Sequence, residues 1–279
     1  FAAGKIGAVL VTVNTNYKVF ELEYLLRQSD SCTLIMTKGT KDSNYIEHIT
    51  KLCPELKTSK PGELNSARLP MLKNVIFIGE DKLPGMYNWD DLYNMADEIT
   101  PEELKARENS LDCHEVINMQ YTSGTTGFPK GVMLSHYNII NNGDAIGECM
   151  KITDKDRMCI PVPLFHCFGI VLGVLAAVTK GATMVFEDHF NPVKVMESVH
   201  YERCTALHGV PTMFISILEH PDFDKYDFSS LRTGIMAGSP CPIKVMRQVI
   251  DRMNMKEITI VYGQTEASPG ITQTRTDDP

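Results

Sequence analysis

The chain has 279 residues, 43% of them hydrophobic, enough to bury a substantial core as one large domain or two smaller ones. A formal net charge of -8 and a pI near 5.5 exclude a broad nucleic-acid surface, so any anion site must be local. The most apolar run, Phe168 to Val178, is only about eleven residues long, too short to cross a bilayer and suited to a buried core helix, and no signal peptide is visible.

Residue 1 is phenylalanine, and FAAGK reads as the tail of a helix, so the chain is expected to begin inside a longer one. Ile6 to Val13 reads as a strand. Val19 to Gln28 reads as an amphipathic helix with Phe20, Tyr24 and Leu25 on one face. Residues 33 to 37 give a second strand. A helix from about Asp42 then carries Ile46, Ile49 and Leu52 and is stopped by Pro54. Lys57 to Pro70, rich in Pro, Ser, Lys and Gly, is expected to be a surface loop before a strand at Asn74 to Ile78. Helices at Trp89 to Ala96 and Pro101 to Arg107 lead into EVINMQY, an apolar and partly β-branched run suited to a buried strand.

That strand runs into YTSGTTGFPKG, residues 121 to 131. Gly124 and Gly127 allow positive φ, Ser123, Thr125 and Thr126 offer hydroxyls, and Lys130 brings a full positive charge, a donor set suited to a polyphosphate. The spacing is not that of the NTPase P-loop. Counted from Gly124, Pro129 stands at the second glycine position and has no N–H, while Gly131 stands at the hydroxyl position and has no oxygen for a metal. An ordinary glycine-rich surface loop is the bland alternative. Val132 to Leu134 read as a short strand, which makes the loop a hairpin, and Ser135 caps a helix with Ile139, Ile140, Ile146 and Met150 on its apolar face.

KITDKDR, residues 151 to 157, reads as a connector. Beyond it come a strand from Met158 to Val162, a buried helix from Phe165 to Val178, a strand from Ala182 to Phe186 and a helix from Pro192 to His200. Strands at Cys204 to His208, Gly234 to Ala237 and Glu257 to Tyr262 follow, with helices at Pro211 to Leu218 and Pro242 to Met253. The alternation predicts an α/β fold with a mainly parallel sheet, divided into 1–151, 152–271 and a short terminal piece, 272–279.

The eight cysteines have no C-x-x-C pair and suit a reducing compartment, most as small buried hydrophobes; a cytoplasmic location is expected. His114, His136, His189, His200, His208 and His220 show no mutual metal spacing.

YTSGTTGFPKG closely resembles the signature loop of the adenylate-forming superfamily, which includes acyl-CoA synthetases, luciferases and peptide-synthetase adenylation domains. VYGQTEASP, residues 261 to 269, is similar to the Y-G-x-T-E motif of that superfamily, and the order of the motifs matches over nearly the whole chain. The resemblance implies two stacked α/β subdomains of the superfamily's large domain, truncated at both ends. The first would end in the phosphate-binding loop and the following helix, and the second would hold the adenine and acyl sites.

It further implies that Thr122, Ser123, Gly124, Thr125, Thr126, Gly127 and Lys130 meet the phosphates of ATP. Tyr262 would stack on adenine with Gly263 beside it, Thr265 would hydrogen-bond the α-phosphate, and Glu266 would hold Mg2+. Gly238, Ser239 and Pro240, in MAGSPCP, would be further nucleotide contacts. His166 in PLFHCFG, taken alone, reads as a structural histidine between Phe165 and Phe168; the resemblance places it at the acyl site, where amino-acid adenylation domains carry an aspartate. His208 and Gly209 would line the acyl tunnel.

The stretch from Ser135 to Pro269 most resembles medium-chain acyl-CoA synthetases of the mitochondrial family member 2 type and their bacterial relatives. The implied activity is AMP-forming ligation of a fatty acid to CoA. Lys130, Thr265, Glu266 and His166 would be catalytic, with ATP, Mg2+, CoA and a carboxylic acid as partners. A hinge and a small C-terminal domain with a second lysine are expected downstream, without which the chain would not complete thioester synthesis. Alternatives are an adenylation domain for amino or aryl acids, a non-catalytic nucleotide-binding module and, against the loop spacing, a P-loop GTPase or kinase.

Overall fold

The computed structural model describes residues 1–40, 42–122 and 127–278; Ser123, Gly124, Thr125 and Thr126 of the signature loop lie outside them. The chain forms two compact units, Phe1–Val132 and Met133–Pro279. The division falls before the expected 151/152 boundary, because the His136–Cys149 helix packs on Phe168–Leu175 and Ala176–Lys180 in the second unit.

In the first unit Thr33–Met36, Asn74–Phe77 and Tyr87–Asn88 form a parallel sheet, while Val116–Thr122 stands between Leu10–Thr12 and Lys130–Ser135 in another. The expected strand from Ile6 shrinks to Leu10–Thr12, the residues that find backbone partners at Asn118, Met119 and Gln120. A short helix, Ala2–Lys5, precedes it. The Val19–Gln28 helix buries Leu22, Leu25 and Leu26, whereas Phe20 is 66% exposed. Of the expected face Leu25 is buried but Phe20 is not: spacings of three and four residues put Leu22, Leu25 and Leu26, not Phe20, on the core stripe.

Asn44 caps the Tyr45–Leu52 helix by accepting from the Glu47 N–H at 3.1 Å, later than the expected start at Asp42. The segment from Lys57 to Pro70 is not simply a surface loop, since Leu64 and Leu69 are almost fully buried beside Leu25, Ile49, Leu52 and Phe77. Each such burial contributes about 1.5–3 kcal/mol, which outweighs the polar composition of the segment.

In the second unit a six-stranded sheet runs in the order Thr183–Phe186, Arg157–Ile160, Ala206–Gly209, Thr233–Ala237, Glu257–Gly263, Gly270–Gln273. All neighbours are parallel except the last pair. Successive side chains point to opposite faces, so Cys159, Leu207 and Met236 enter one core while Met158, Ala206 and Ile235 enter the other. The first core is closed by the helices Pro192–Tyr201, Pro211–Leu218 and Ile243–Arg252, the second by His136–Cys149, Phe168–Leu175 and Ala176–Lys180. Burial on both faces explains why these strands read as continuous apolar runs.

The expected helix from Phe165 is instead a π-helical stretch, Phe168–Leu175, running into α-helix Ala176–Lys180. Ile140 is 42% exposed, off the buried stripe of its helix.

At the amino ends of the parallel strands Arg232 holds the edge together. Its guanidinium donates to Asp156 Oδ2 at 2.8 Å, Glu257 Oε2 at 2.6 Å and the Lys151 carbonyl at 2.7 Å. Burial would raise the Asp156 carboxyl, but hydrogen bonds from Arg232, Thr205 and Thr153 outweigh it and hold the group below its ordinary 3.8. The opposite, carboxyl edge of the sheet is left to the motifs.

Candidate active site

Because the five strands from Thr183–Phe186 to Glu257–Gly263 are parallel, their carboxyl ends share one edge. The chain grows from Arg157–Ile160 first to one side, to Thr183–Phe186, and then to the other, to Ala206–Gly209. The crevice outside the carboxyl ends at such a reversal is where open α/β sheets bind ligands. His166 follows the first strand of that crevice and His208 and Gly209 end the second; Gly238, Ser239 and Pro240 follow the next, and Tyr262 and Gly263 end the one after.

His166 is tied to its own turn by the Phe168 N–H, which donates to Nδ1 at 3.1 Å. That bond needs a lone pair on Nδ1, so the neutral ring carries its proton on Nε2. Partial desolvation lowers the basicity of the ring below the ordinary 6.5, in the same direction. The ring remains solvent-accessible.

The next residue, Cys167, is buried, with Sγ 3.6 Å from His166 Nδ1 and 3.4 Å from Thr265 Oγ1. Burial pushes the thiol up, against the hydrogen bond from Thr265, so it stays protonated. The PLFHCFG segment and the Y-G-x-T-E turn thus meet at one sulfur.

Thr265 is itself buried, in the turn Thr265–Ala267 that follows Gly263 and Gln264. This turn is closed by the Gln264 N–H donating to the Pro269 carbonyl at 3.0 Å. A Cβ on Gly263 would lie 2.1 Å from that same carbonyl, so only glycine lets the two strands close there. Tyr262 presents its ring outward, 66% exposed, and Glu266 exposes its carboxylate beside buried Thr265. An exposed carboxylate is a hard oxygen donor of the kind that suits Mg2+, and Glu266 is the residue here that would hold it. Gly238 has φ +86° and is exposed with Ser239 and Pro240, so backbone groups face the edge there.

His208 differs from the other motif residues in being wholly buried. Its Nε2 donates to the Leu172 carbonyl at 3.0 Å, its ring stacks on Phe168 at 5.9 Å, and Nδ1 has no partner. Burial pulls its pKa down from the ordinary 6.5 to about 4.

In the first unit Thr122 ends its strand, Gly127 is exposed, and Lys130 opens the Lys130–Ser135 strand with its side chain in solvent. The four loop residues between Thr122 and Gly127 lie outside the described residues. Among the described residues, the one group of three side chains able to share a metal is Asp112, Cys113 and His114. They are consecutive and exposed, before the Val116–Thr122 strand, and belong to none of the motifs.

Two residues of the second unit's site escape sequence reasoning. Cys167 looks like any small buried residue. Asn142 lies three residues after Ile139 and four before Ile146, a polar side chain on the buried stripe of its helix, and that position was the available signal. All eight cysteines are free, but only Cys53, Cys159, Cys167 and Cys204 are buried, fewer than expected. No helix among the described residues is long and apolar enough to cross a membrane.

Solved structures share this fold. The anthranilate CoA ligase AuaEII in complex with anthranoyl-AMP superposes with a TM-score of 0.79 at 22% identity over 99% of the chain and 49% of its own. The N-terminal domain of FACL13 from Mycobacterium tuberculosis gives 0.72 at 23% identity over 99% and 61%. Among curated proteins, the chain is 62% identical over 278 residues to the "Putative acyl-CoA synthetase YngI" of Bacillus subtilis, covering 100% of the chain and 51% of that protein. It is 41% identical over 274 residues to the human medium-chain acyl-CoA ligase ACSF2, mitochondrial, covering 96% of the chain and 44% of the relative. The chain therefore spans about half the length of the curated relatives it matches. The family model for AMP-binding enzymes matches residues 1–279 from end to end, and with the Y-G-x-T-E turn and the fold in agreement, the chain belongs to the AMP-binding, adenylate-forming enzyme family.

Proposed function

We propose that the protein containing this chain is an AMP-forming acyl-CoA synthetase acting on fatty acids, with a medium-chain acid as the preferred substrate. The observation that carries the reading is the junction at Cys167, which joins the His166 segment to Thr265 through contacts of 3.6 and 3.4 Å. The names of the relatives support the substrate class: an acyl-CoA synthetase at 62% identity and a medium-chain ligase at 41%.

In the first step the substrate carboxylate attacks the α-phosphorus of ATP and pyrophosphate leaves. In the second the CoA thiol attacks the acyl carbonyl, the acyl–oxygen bond breaks and AMP leaves. Thr265 Oγ1 would donate to an α-phosphate oxygen as charge builds there, and Lys130, with the loop N–H groups, would take up charge moving to the pyrophosphate. Mg2+, held by Glu266, supplies charge neutralisation on the phosphates. His166, neutral with its proton on Nε2, offers a donor to a carboxylate oxygen without needing to titrate. Tyr262 offers an exposed face for adenine, and Gly238, Ser239 and Pro240 offer backbone groups at its edge. No nucleophilic side chain is required, because the substrate carboxylate is the nucleophile.

Within this reading the first unit carries the phosphate loop and the second, as far as residue 271, the adenine and acyl sites. The complete two-step reaction belongs to the full-length protein, since the chain is about half the length of its relatives. Eight free cysteines support a reducing, cytoplasmic setting. The test is ATP–pyrophosphate exchange by the full-length protein with a panel of fatty, aryl and amino acids. Exchange strongest with octanoate-sized acids is expected; exchange with amino acids alone would overturn the substrate class, and ATP binding without any exchange would overturn catalysis.

A further inference from the structure

Two side chains one turn apart on the Val19–Gln28 helix hold the two stems of the phosphate loop. On the trailing stem, the Tyr24 hydroxyl donates to the Pro129 carbonyl at 3.0 Å, and its ring stacks on Phe128 with centroids 5.3 Å apart and planes 29° off parallel. On the leading stem, the Tyr121 hydroxyl donates to Gln28 Oε1. Burial pushes Tyr121 up to about 12, so it remains a neutral donor. Gly131 leaves room for this junction: a Cβ there would lie 3.0 Å from Met119 Sδ, 3.2 Å from the Tyr121 ring and 3.3 Å from Gln28 Oε1. Lys130 directly follows Pro129, whose carbonyl Tyr24 holds, and precedes Gly131, which lies close to Gln28. The helix is fixed from its other side by Leu22, Leu25 and Leu26 in the core.

We infer that Tyr24 and Gln28 are positioning residues that set where Lys130 presents its charge, making the Val19–Gln28 helix the support of the phosphate loop. The inference rests on the reading of Lys130 as a phosphate contact. Neither side chain belongs to a sequence motif. A loop held at one stem swings about it, whereas one held at both keeps its lysine in register, and catalytic charge must be placed to within a fraction of an ångström.

The experiment uses the full-length protein. Tyr24→Phe removes the hydroxyl and keeps the stack; Gln28→Leu removes the acceptor for Tyr121. Each is expected to lower the ATP–pyrophosphate exchange rate about three- to tenfold, the effect of one lost hydrogen bond. The Kd for AMP, which lacks the β- and γ-phosphates, and the Tm should hardly move. If both residues act through Lys130, adding Tyr24→Phe to Lys130→Ala should slow exchange no further than Lys130→Ala alone. Exchange at the parent rate in both variants, AMP affinity falling in step with exchange, or multiplicative rates in the double variant would each overturn the inference. Loss of exchange in Lys130→Ala with Tyr24→Phe and Gln28→Leu intact would overturn it alone, whereas a parent protein without exchange would overturn the functional reading as well.

Discussion

Asn142 grips Gly270 with both ends of its amide: Nδ2 donates to the Gly270 carbonyl at 2.8 Å, and Oδ1 accepts from the Gly270 N–H at 3.0 Å. The bonds run from the middle of the His136–Cys149 helix to the start of the last strand, immediately after the turn that carries Thr265 and Glu266. They fix the amide orientation and satisfy a backbone pair that has no strand neighbour on that side. Asn142→Leu is expected to destabilise the second unit by about 1–3 kcal/mol, two modest hydrogen bonds plus the exposed or stranded backbone groups. Urea denaturation measures the loss, and hydrogen exchange at Gly270 should accelerate more than exchange in the Ala206–Gly209 strand.

His208 makes stability depend on pH. Its pKa is near 6.5 when unfolded and about 4 when folded. Above 6.5 both states are neutral and the residue contributes no pH dependence. Between 6.5 and 4 the unfolded chain binds the proton that the buried ring refuses, so folding stability falls as pH falls. The whole penalty approaches about 3 kcal/mol near pH 4, at 1.36 kcal/mol per unit. His208→Gln should flatten the dependence of the urea midpoint on pH across this window, leaving the carboxylate-driven loss below pH 4. A slope unchanged by the substitution would mean that the ring is not the group responsible.

Much of this arrangement can be read from the residues alone, and what escapes has physical causes. Strand runs such as Glu257–Gly263 are legible because burial on both faces makes them predominantly apolar and β-branched, and their parallel order follows from alternation with helices. Motif strings locate Gly238, Tyr262, Thr265 and His166, since each sits where a strand ends. The side chains that hold these in place are different in kind. Asn142, Cys167, Tyr24 and Gln28 act on partners from 93 to 128 positions away, and nothing in local spacing names the partner. The misplaced Phe20 of the Val19–Gln28 helix is a different case, since the three- and four-residue spacing of Leu22, Leu25 and Leu26 marks the buried stripe in the sequence itself.

Cys167 offers a test of how much precision Thr265 needs. Removing the thiol in Cys167→Ala frees the Thr265 hydroxyl to rotate away from the direction in which the proposed reading has it meet the α-phosphate, with little change in core volume. The full-length protein should then lose about two- to tenfold in exchange rate, as expected for one weak hydrogen bond that orients a donor. Cys167→Ser should recover most of that loss, because an oxygen can take the same place between His166 and Thr265. If Cys167→Ala and Cys167→Ser are equally impaired, packing and not orientation is what the sulfur provides.

The last prediction separates the two charges, Glu266 and Lys130, on which the proposed first step would rest. Glu266 is an exposed carboxylate in the turn Thr265–Ala267, just after a strand, so its replacement by glutamine changes charge and not fold. A neutral amide is a poor ligand for a hard divalent cation, whereas adenine stacking on Tyr262 does not involve it. Glu266→Gln in the full-length protein should therefore keep its Tm and its affinity for AMP, lose at least roughly 100-fold in exchange rate at low Mg2+, and regain part of that rate as Mg2+ is raised. Lys130→Ala should show a comparable fall with no such recovery, because its charge is covalently fixed to the chain and added metal does not replace it. Equal Mg2+ dependence in the two variants would mean that Glu266 acts by its charge at long range and not as a metal ligand.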